Sequence, residues 1–335
     1  MNGRGTDAVL REVVFAVDET SYVGGDVVLF AKRWGEWTHL EAQVRQGLAC
    51  LHRLTDRGEH LAADDLDAIA RDFRYERDLI SGQDMEAWLE RWTLTLDDWT
   101  DYLRRSVLRQ TWADQLSEIA AACSLDQAEI EHCLRVEAIC SGRFERWAQD
   151  LAGRASAWAR ARDEGWLREE TGSGDPAERL ACIDRGFQRF CEQVLRPEAL
   201  RAQVRAHRLD WIRLDYRYAA FPSAQSAREA ALCVREDGMT LDDAAAQAKV
   251  APHDAQEYLE DIEADLRSYF IGVRPGDLIG PLSHGDDFVL VLVRGKVLPS
   301  VEEPETHRRA RETLVQQAVH HELSTRVRWR SRITA

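Results

Sequence analysis

Apolar positions along the chain follow two different spacings. From Asp26 to about Arg168 they recur every three or four residues. Trp99, Leu103, Val107 and Leu108 mark one such stripe, the face that an amphipathic helix buries. Start signals accompany the pattern. Ser81 with Asp84, Thr95 with Asp98 and Ser124 with Gln127 have capping-box spacing, in which a side-chain oxygen takes an N–H left unpaired by the first turn. Ahead of this region, Leu10 to Val17 is short, apolar and β-branched, which predicts a strand, with the segment DETSYVGG after it as a turn. Thr171 to Pro176 (TGSGDP) has linker composition. A helix is predicted over Ala177–Leu195, with Leu180, Ile183, Phe187 and Phe190 on one face, and Pro197 opens another.

At Leu209 the period becomes two. Ile212, Leu214, Tyr216 and Tyr218 alternate with Trp211, Arg213, Asp215 and Arg217, which predicts a strand. Ser223 and Thr240 cap two further helices, Gly238 stops the first of these, and Asp254 to Phe270 reads as a third. Apolar segments at Gly276–Leu282 and Phe288–Val293 flank a turn at Ser283–Asp286 and predict two more strands. Pro304 to Leu323 is amphipathic and helical. In the tail, Val327, Trp329 and Ile333 alternate with Arg326, Arg328, Arg330 and Arg332. An isolated strand leaves its N–H and C=O groups unmet, so this tail is expected to pair with the N-terminal strand, placing its arginines near Glu12 and Asp18. The order predicts an α+β fold with mainly antiparallel sheets. A helical domain would span residues 1–200, completed by 300–335, and a sheet domain 207–299.

Length and charge narrow the function. At ~150 residues per domain, 335 residues suit two domains. The net charge of −15 argues against a nucleic-acid or anionic-membrane partner, because phosphate contacts need clustered Lys and Arg. No apolar run approaches the ~18 residues of a transmembrane helix. Met1 to Asp7 shows no apolar stretch behind a basic start, so a cytoplasmic location is expected. The seven cysteines form neither CxxC nor CxxxC and are expected to be buried, reduced thiols.

The block Arg274-Pro-Gly-Asp-Leu-Ile-Gly-Pro-Leu282, its turn, and Phe288 to Lys296 resemble the last two strands of a parvulin-type peptidyl-prolyl isomerase. The strand Tyr216–Phe221, followed by Ala227-Arg-Glu-Ala230 and Leu241–Ala248, is similar to that domain's first strand and helix pair. Upstream, Asp78 to Leu108, notably LTLDDWTDYLRRSVLRQ, resembles the helical N-terminal domain of SurA-like chaperones, whose terminal strands pair. Active parvulins carry a His in the first strand and another in the last. Here Ile212–Tyr218 and Asp287–Val291 contain none, so no catalytic residue is carried over. The resemblance therefore implies a parvulin-like cleft without its polar machinery, lined by Tyr216, Tyr218, Phe221, Leu282, Phe288 and Leu290. Its partner would be an extended peptide or an unfolded protein segment. Soluble, signal-less relatives of this kind are also found beside genes for ribosomally made, modified peptides, so the resemblance implies a precursor peptide and its modifying enzyme as a further expected pair. The alternatives are an active peptidyl-prolyl isomerase or a peptide-modifying enzyme.

Other chemistry finds little support. His320-His321-Glu322 lacks HExxH spacing, and adjacent helical residues point ~100° apart, so a solvated helix end is expected rather than a metal site. His132-Cys133 fails for the same reason. The pairs Asp64-Asp65, Asp97-Asp98 and Asp242-Asp243 fall at helix starts, where negative charge suits the dipole. No phosphate loop, dinucleotide motif or nucleophile elbow occurs, and no cofactor or metal is expected. Eleven tryptophans are mostly assigned to the core.

Overall fold

The computed structural model describes residues 10–167 and 175–330, so most of the predicted linker lies outside the described residues. The chain forms two units, residues 1–191 with 318–335, and residues 192–317.

The first unit is helical around a three-stranded antiparallel sheet. Strand β1 (Val13–Val17) lies between β2 (Thr20–Val23) and β7 (Val327–Trp329). The two ends of the chain therefore pair, with Phe15 opposite Trp329 and Val17 opposite Val327. Phe15 is fully buried, stacked on Tyr22 at 4.8 Å and tilted against Trp329 at 5.4 Å. Arg326 reaches Asp18 at 2.9 Å, as the sequence led us to expect. The segment read as a plain turn is corrected. Asp18 and Glu19 make the turn, with Asp18 at φ +49°, and Thr20–Val23 returns as a strand because Tyr22 packs inward. Four residues are too few for a period to show.

Helices α1 (Gly24–Arg33), α2 (Glu36–Asp56), α3 (Ala63–Glu76), α4 (Gly82–Trp92), α5 (Leu96–Thr111), α6 (Leu116–Ala122), α7 (Gln127–Cys140) and α8 (Arg143–Asp163) follow, and α9 (Pro176–Val194) succeeds them. Ser81 and Thr95 cap α4 and α5 in reciprocal boxes. The third start differs: Asp126 takes the Glu129 N–H, so the cap of α7 is Asp126 rather than Ser124. Trp88, Trp92, Trp99 and Trp147 lie in one core with Leu103, Ile130 and Leu151.

The second unit starts with α10 (Pro197–Ala206) and a four-stranded antiparallel sheet in the order β4-β3-β6-β5. The strands are β3 (Arg213–Phe221), β4 (Pro252–Tyr258), β5 (Leu278–His284) and β6 (Asp287–Val297). Between β3 and β4 lie α11 (Ala224–Glu236) and α12 (Leu241–Gln247), capped by Ser223 and Thr240. The helix expected over Asp254–Phe270 is corrected to strand β4, a 3₁₀ turn at Leu259–Asp261 and a short α13 (Arg267–Ile271). That stretch is rich in helix formers, but β4 is placed by pairing: Ala255 faces Tyr216 and His253 faces Tyr218. Tertiary pairing overrides local propensity here. Helix α14 (Pro304–Arg326) leads into β7.

Candidate functional site

Strand alternation gives the second sheet two chemically different faces. Ala219, Phe221 and Leu290 turn toward α11 and α12, where Ala227, Ala230, Leu241 and Ala245 bury them. Leu214, Tyr216, Val291 and Val293 turn the other way and meet Leu259, Ile262 and Phe270. The six residues proposed to line one cleft are thus divided. Tyr216, Tyr218 and Leu282 belong to the second face, whereas Phe221, Phe288 and Leu290 belong to the helix-covered face. Phe221 and Leu290 have no exposed surface. Register explains the division: Tyr218 opposes Val291 and Ala219 opposes Leu290, and cross-strand partners share a face.

The residues that accompany the tyrosines are Val289 and Val291 on β6 and His253, Ala255 and Glu257 on β4. Their rings run in a row: Tyr216 lies 6.1 Å from Phe270 and 6.2 Å from Tyr218, and Tyr218 lies 5.5 Å from His253. Tyr216 donates to Glu257 at 2.9 Å. Burial and that hydrogen bond push its hydroxyl well above the usual value, so it is a fixed donor at neutral pH. Tyr218, Ala255 and Val289 are half-buried and His253 is exposed, so the row opens to solvent at this end. Sequence reasoning missed His253 and Glu257 because their strand reads as helix. It missed Val289 and Val291 because the parity of β6 relative to β3 is set by pairing.

A cover holds the buried end. Lys296 donates to the carbonyls of Ile271 at 2.6 Å, Val273 at 3.3 Å and Phe270 at 3.4 Å. Arg267 ties back to Glu260 at 2.6 Å and Ile262 at 2.7 Å. The two sheet edges also differ. On β5, Arg235 donates to the carbonyls of Leu278 and Gly280 at 3.1 and 3.0 Å. An open cavity of about 790 Å³ lies beside it, lined by Arg235, Tyr269, Val273, Pro281 and Leu282. On β4, Arg309 stacks over Tyr258 at 4.0 Å, and the stretch His253–Gln256 pairs with β3 on its inner side.

The remaining clusters are structural. His320 and His321 are exposed, but Glu322 is buried and grips Arg326 at 2.8 Å, so the expected solvated helix end is an anchor for β7. His132 pairs with Asp98 at 2.6 Å while Cys133 is buried. Asp97, Asp98, Asp242 and Asp243 do lie in first helical turns. Among the described residues one group has converging ligand atoms, His207, Asp210 and Glu260, within 4.8 Å of one another. Arg309 already pairs with Glu260, so we read it as an ion-pair cluster. None of the seven cysteines forms a disulfide. Among the described residues no helix is long and apolar enough to cross a membrane.

No family model matches the sequence, and no curated protein matches it. Among solved structures, the chain is similar to one from a study of PEB4 and Cj1289, two SurA-like chaperones of Campylobacter jejuni. Identity is 8%, the alignment covers 96% of this chain and 99% of that one, and the TM-score is 0.22. It is also similar to PrsA from Bacillus subtilis at 9% identity, over 94% of this chain and 91% of that one, with a TM-score of 0.24. The α+β assignment stands on the strand order and the pairing of the chain ends.

Proposed function

We propose that the chain is a peptide-binding, SurA-like chaperone or peptide-maturation accessory whose parvulin-like sheet holds an extended segment along β4. The observation that carries this reading is the outer edge of β4, which no strand pairs among the described residues, beside the solvent-open row Tyr218, His253 and Val289. An added strand gains main-chain hydrogen bonds from the edge, and alternate side chains lie beside His253 and Ala255 on the face that carries Tyr218. The expected partner is an unfolded segment or a precursor peptide awaiting a modifying enzyme. The same reading takes the setting to be reducing and cytoplasmic, where buried thiols such as Cys50, Cys133 and Cys140 stay reduced. The isomerase function is taken to be lost, since neither β3 nor β6 supplies a histidine to the face.

Fluorescence anisotropy with labelled unstructured peptides tests this. Binding should weaken at least about tenfold in Tyr218→Ala, the loss of roughly one interface anchor. No binding by the unaltered chain overturns the reading. Loss confined to Tyr269→Ala would move the site to the β5 cavity and overturn pairing at β4.

A second reading, an active peptidyl-prolyl isomerase, is favoured by His253, a titratable ring 5.5 Å from Tyr218 on the open row. Isomerisation needs no covalent step, only a site that favours the twisted amide over a barrier of ~18–20 kcal/mol. A protease-coupled proline-peptide assay should show acceleration that His253→Ala removes. No acceleration by the unaltered chain discards it.

A further inference from the structure

A second constellation lies in the helical unit, apart from the sheet. His52 on α2 stands between Cys123, which follows α6, and Glu129, in the first turn of α7. Its Nε2 is 3.0 Å from Glu129 Oε1, and its Nδ1 is 3.6 Å from Cys123 Sγ. A carboxylate accepts hydrogen bonds and does not donate them, so the ring proton belongs on Nε2 and Nδ1 presents a lone pair to the thiol. This is the arrangement of an activated nucleophile: thiol, base, and a third group that orients the base. The site opens on a cavity of about 700 Å³ lined by His52, Arg53 and Asp56 of α2, by Arg57 just beyond it, and by Glu118 and Cys123. Cys50, Cys133, Cys140 and Cys182 are instead buried.

We propose that Cys123, assisted by His52 and Glu129, is a reactive thiol that exchanges with small-molecule disulfides entering this cavity. Cys123 Sγ attacks one sulfur of the disulfide, whose S–S bond breaks as the new mixed disulfide forms. The thiol proton passes to His52 Nδ1 and then to the departing sulfur, which leaves as a free thiol. Cys123 is oxidised and the departing sulfur is reduced, so no further reagent is needed. Disulfide exchange suits what is present, because it requires a base, an open path and a leaving group that can be protonated.

The charges around the pair set the mechanism. Burial, Asp56 and Glu129 push the Cys123 thiol above its usual value. Glu129 faces the ring from α7, Arg53 and Asp56 of α2 and the adjoining Arg57 line the cavity, and Glu118 faces it from α6. Cys123 therefore rests as a thiol and gives up its proton to His52 during attack. A preformed free thiolate is not required.

The test uses the full chain under native conditions, dithiodipyridine as the small disulfide, released thiopyridone as the rate signal, and peptide mapping to assign each thiol. Cys123 should react faster than Cys233, and His52→Gln should slow Cys123 about fivefold or more, a modest share of what general-base assistance gives. A smaller drop in a variant that retains its circular dichroism overturns the proposal. If that variant does not fold, the pH profile of the unaltered chain decides. A Cys123 rate that levels off below the range of thiol ionisation supports base assistance. A rate that climbs in proportion to hydroxide through about pH 8.5, as a free thiol's does, overturns it.

Discussion

Glu137 offers the sharpest test of how the helical unit is built. Its side chain and that of Arg105 are each 2% exposed, with Arg105 Nη2 3.6 Å from Glu137 Oε2. Arg109 donates to the other carboxylate oxygen at 2.7 Å and also reaches the Gln43 carbonyl at 3.3 Å. Helix α2 admits this charge through Gly47, where a Cβ would lie 3.0 Å from Arg105 Cβ. The Arg105–Glu137 contact is a Coulombic pair without a hydrogen bond, since Arg105 Nε and Nη2 and Glu137 Oε2 have no such partner. Glu137→Leu removes the counter-charge and leaves a guanidinium buried alone. Breaking a buried pair from one side costs about 3–5 kcal/mol, a large part of a typical ~5–15 kcal/mol of stability. Arg109 is less exacting, because at 16% exposure its head can turn to water. Removing both charges with Arg105→Met and Glu137→Leu should restore most of the loss, as apolar replacement of a buried pair is often neutral. Urea unfolding followed by tryptophan fluorescence would give the four corners of the double-mutant cycle. A cost below about 1 kcal/mol for Glu137→Leu, or a double variant as unstable as the sum of the singles, would refute the reasoning.

Three further outcomes follow from the same kind of geometry. Gly186 on α9 sits against α8, where a Cβ would lie 2.9 Å from Trp158 Cβ and Cγ and nearer still to Cδ1, so Gly186→Ala should cost about 1–3 kcal/mol in thermal unfolding despite better helix propensity. Lys296→Met should cost about 1–2 kcal/mol by removing the donor shared by three carbonyls, and hydrogen exchange should quicken at Tyr269–Val273 before the rest of the unit. At Asp98, burial pushes the carboxyl up, but the Thr95 N–H and hydroxyl and His132 outweigh it and hold it below its usual value. A lowered folded value adds stability that is complete above the ordinary carboxylate range near ~4 and is lost as pH falls through the folded value. Thr95→Ala should therefore cost about 1 kcal/mol at neutral pH, with the difference from the unaltered chain narrowing in acid.

The sequence was readable where local signals and the final environment agree. Ser81 and Thr95 carry their own capping partners three residues on, so these helix starts need no knowledge of the fold. The pairing of chain ends followed from a similarly local fact, a tail alternating Val327 and Trp329 with arginines that had to find an edge. Strand β4 was hidden for the opposite reason. Its Ala, Gln and Glu are neutral or unfavourable in isolated strands, and β3 recruits them. That one misreading removed His253 and Glu257 from view and hid the outer edge of the sheet. The division of the six cleft residues came from register: Phe288 and Leu290 have the right chemistry but the wrong parity relative to Tyr216 and Tyr218. The thiol at Cys123 was invisible because His52 and Glu129 are 77 positions apart and meet where α2 passes the start of α7.

On the proposed peptide-binding reading, the unequal edges of the sheet distinguish two ways in which a chain would be held. Exposed strand edges invite pairing, and proteins blunt them with proline, charge or a covering element. Strand β5 is blunted twice, since Pro281 lacks an N–H and Arg235 occupies the carbonyls of Leu278 and Gly280. The cavity beside it can take a side chain but offers few backbone partners. Strand β4 is covered at Tyr258 by Arg309, and along His253–Gln256 no strand pairs its outer side among the described residues. Asp254 is turned to the opposite face, where Arg217 and Arg294 hold it at 2.7 and 3.0 Å, so it does not screen the tyrosine row. A strand laid along β4 would therefore bring every second side chain beside His253 and Ala255, on the face that carries Tyr218. Selectivity would come from small or flat apolar side chains at alternate positions. It would be modest, because one half-exposed row provides shape and little polar discrimination, which suits a holder of varied extended segments better than a reader of one sequence.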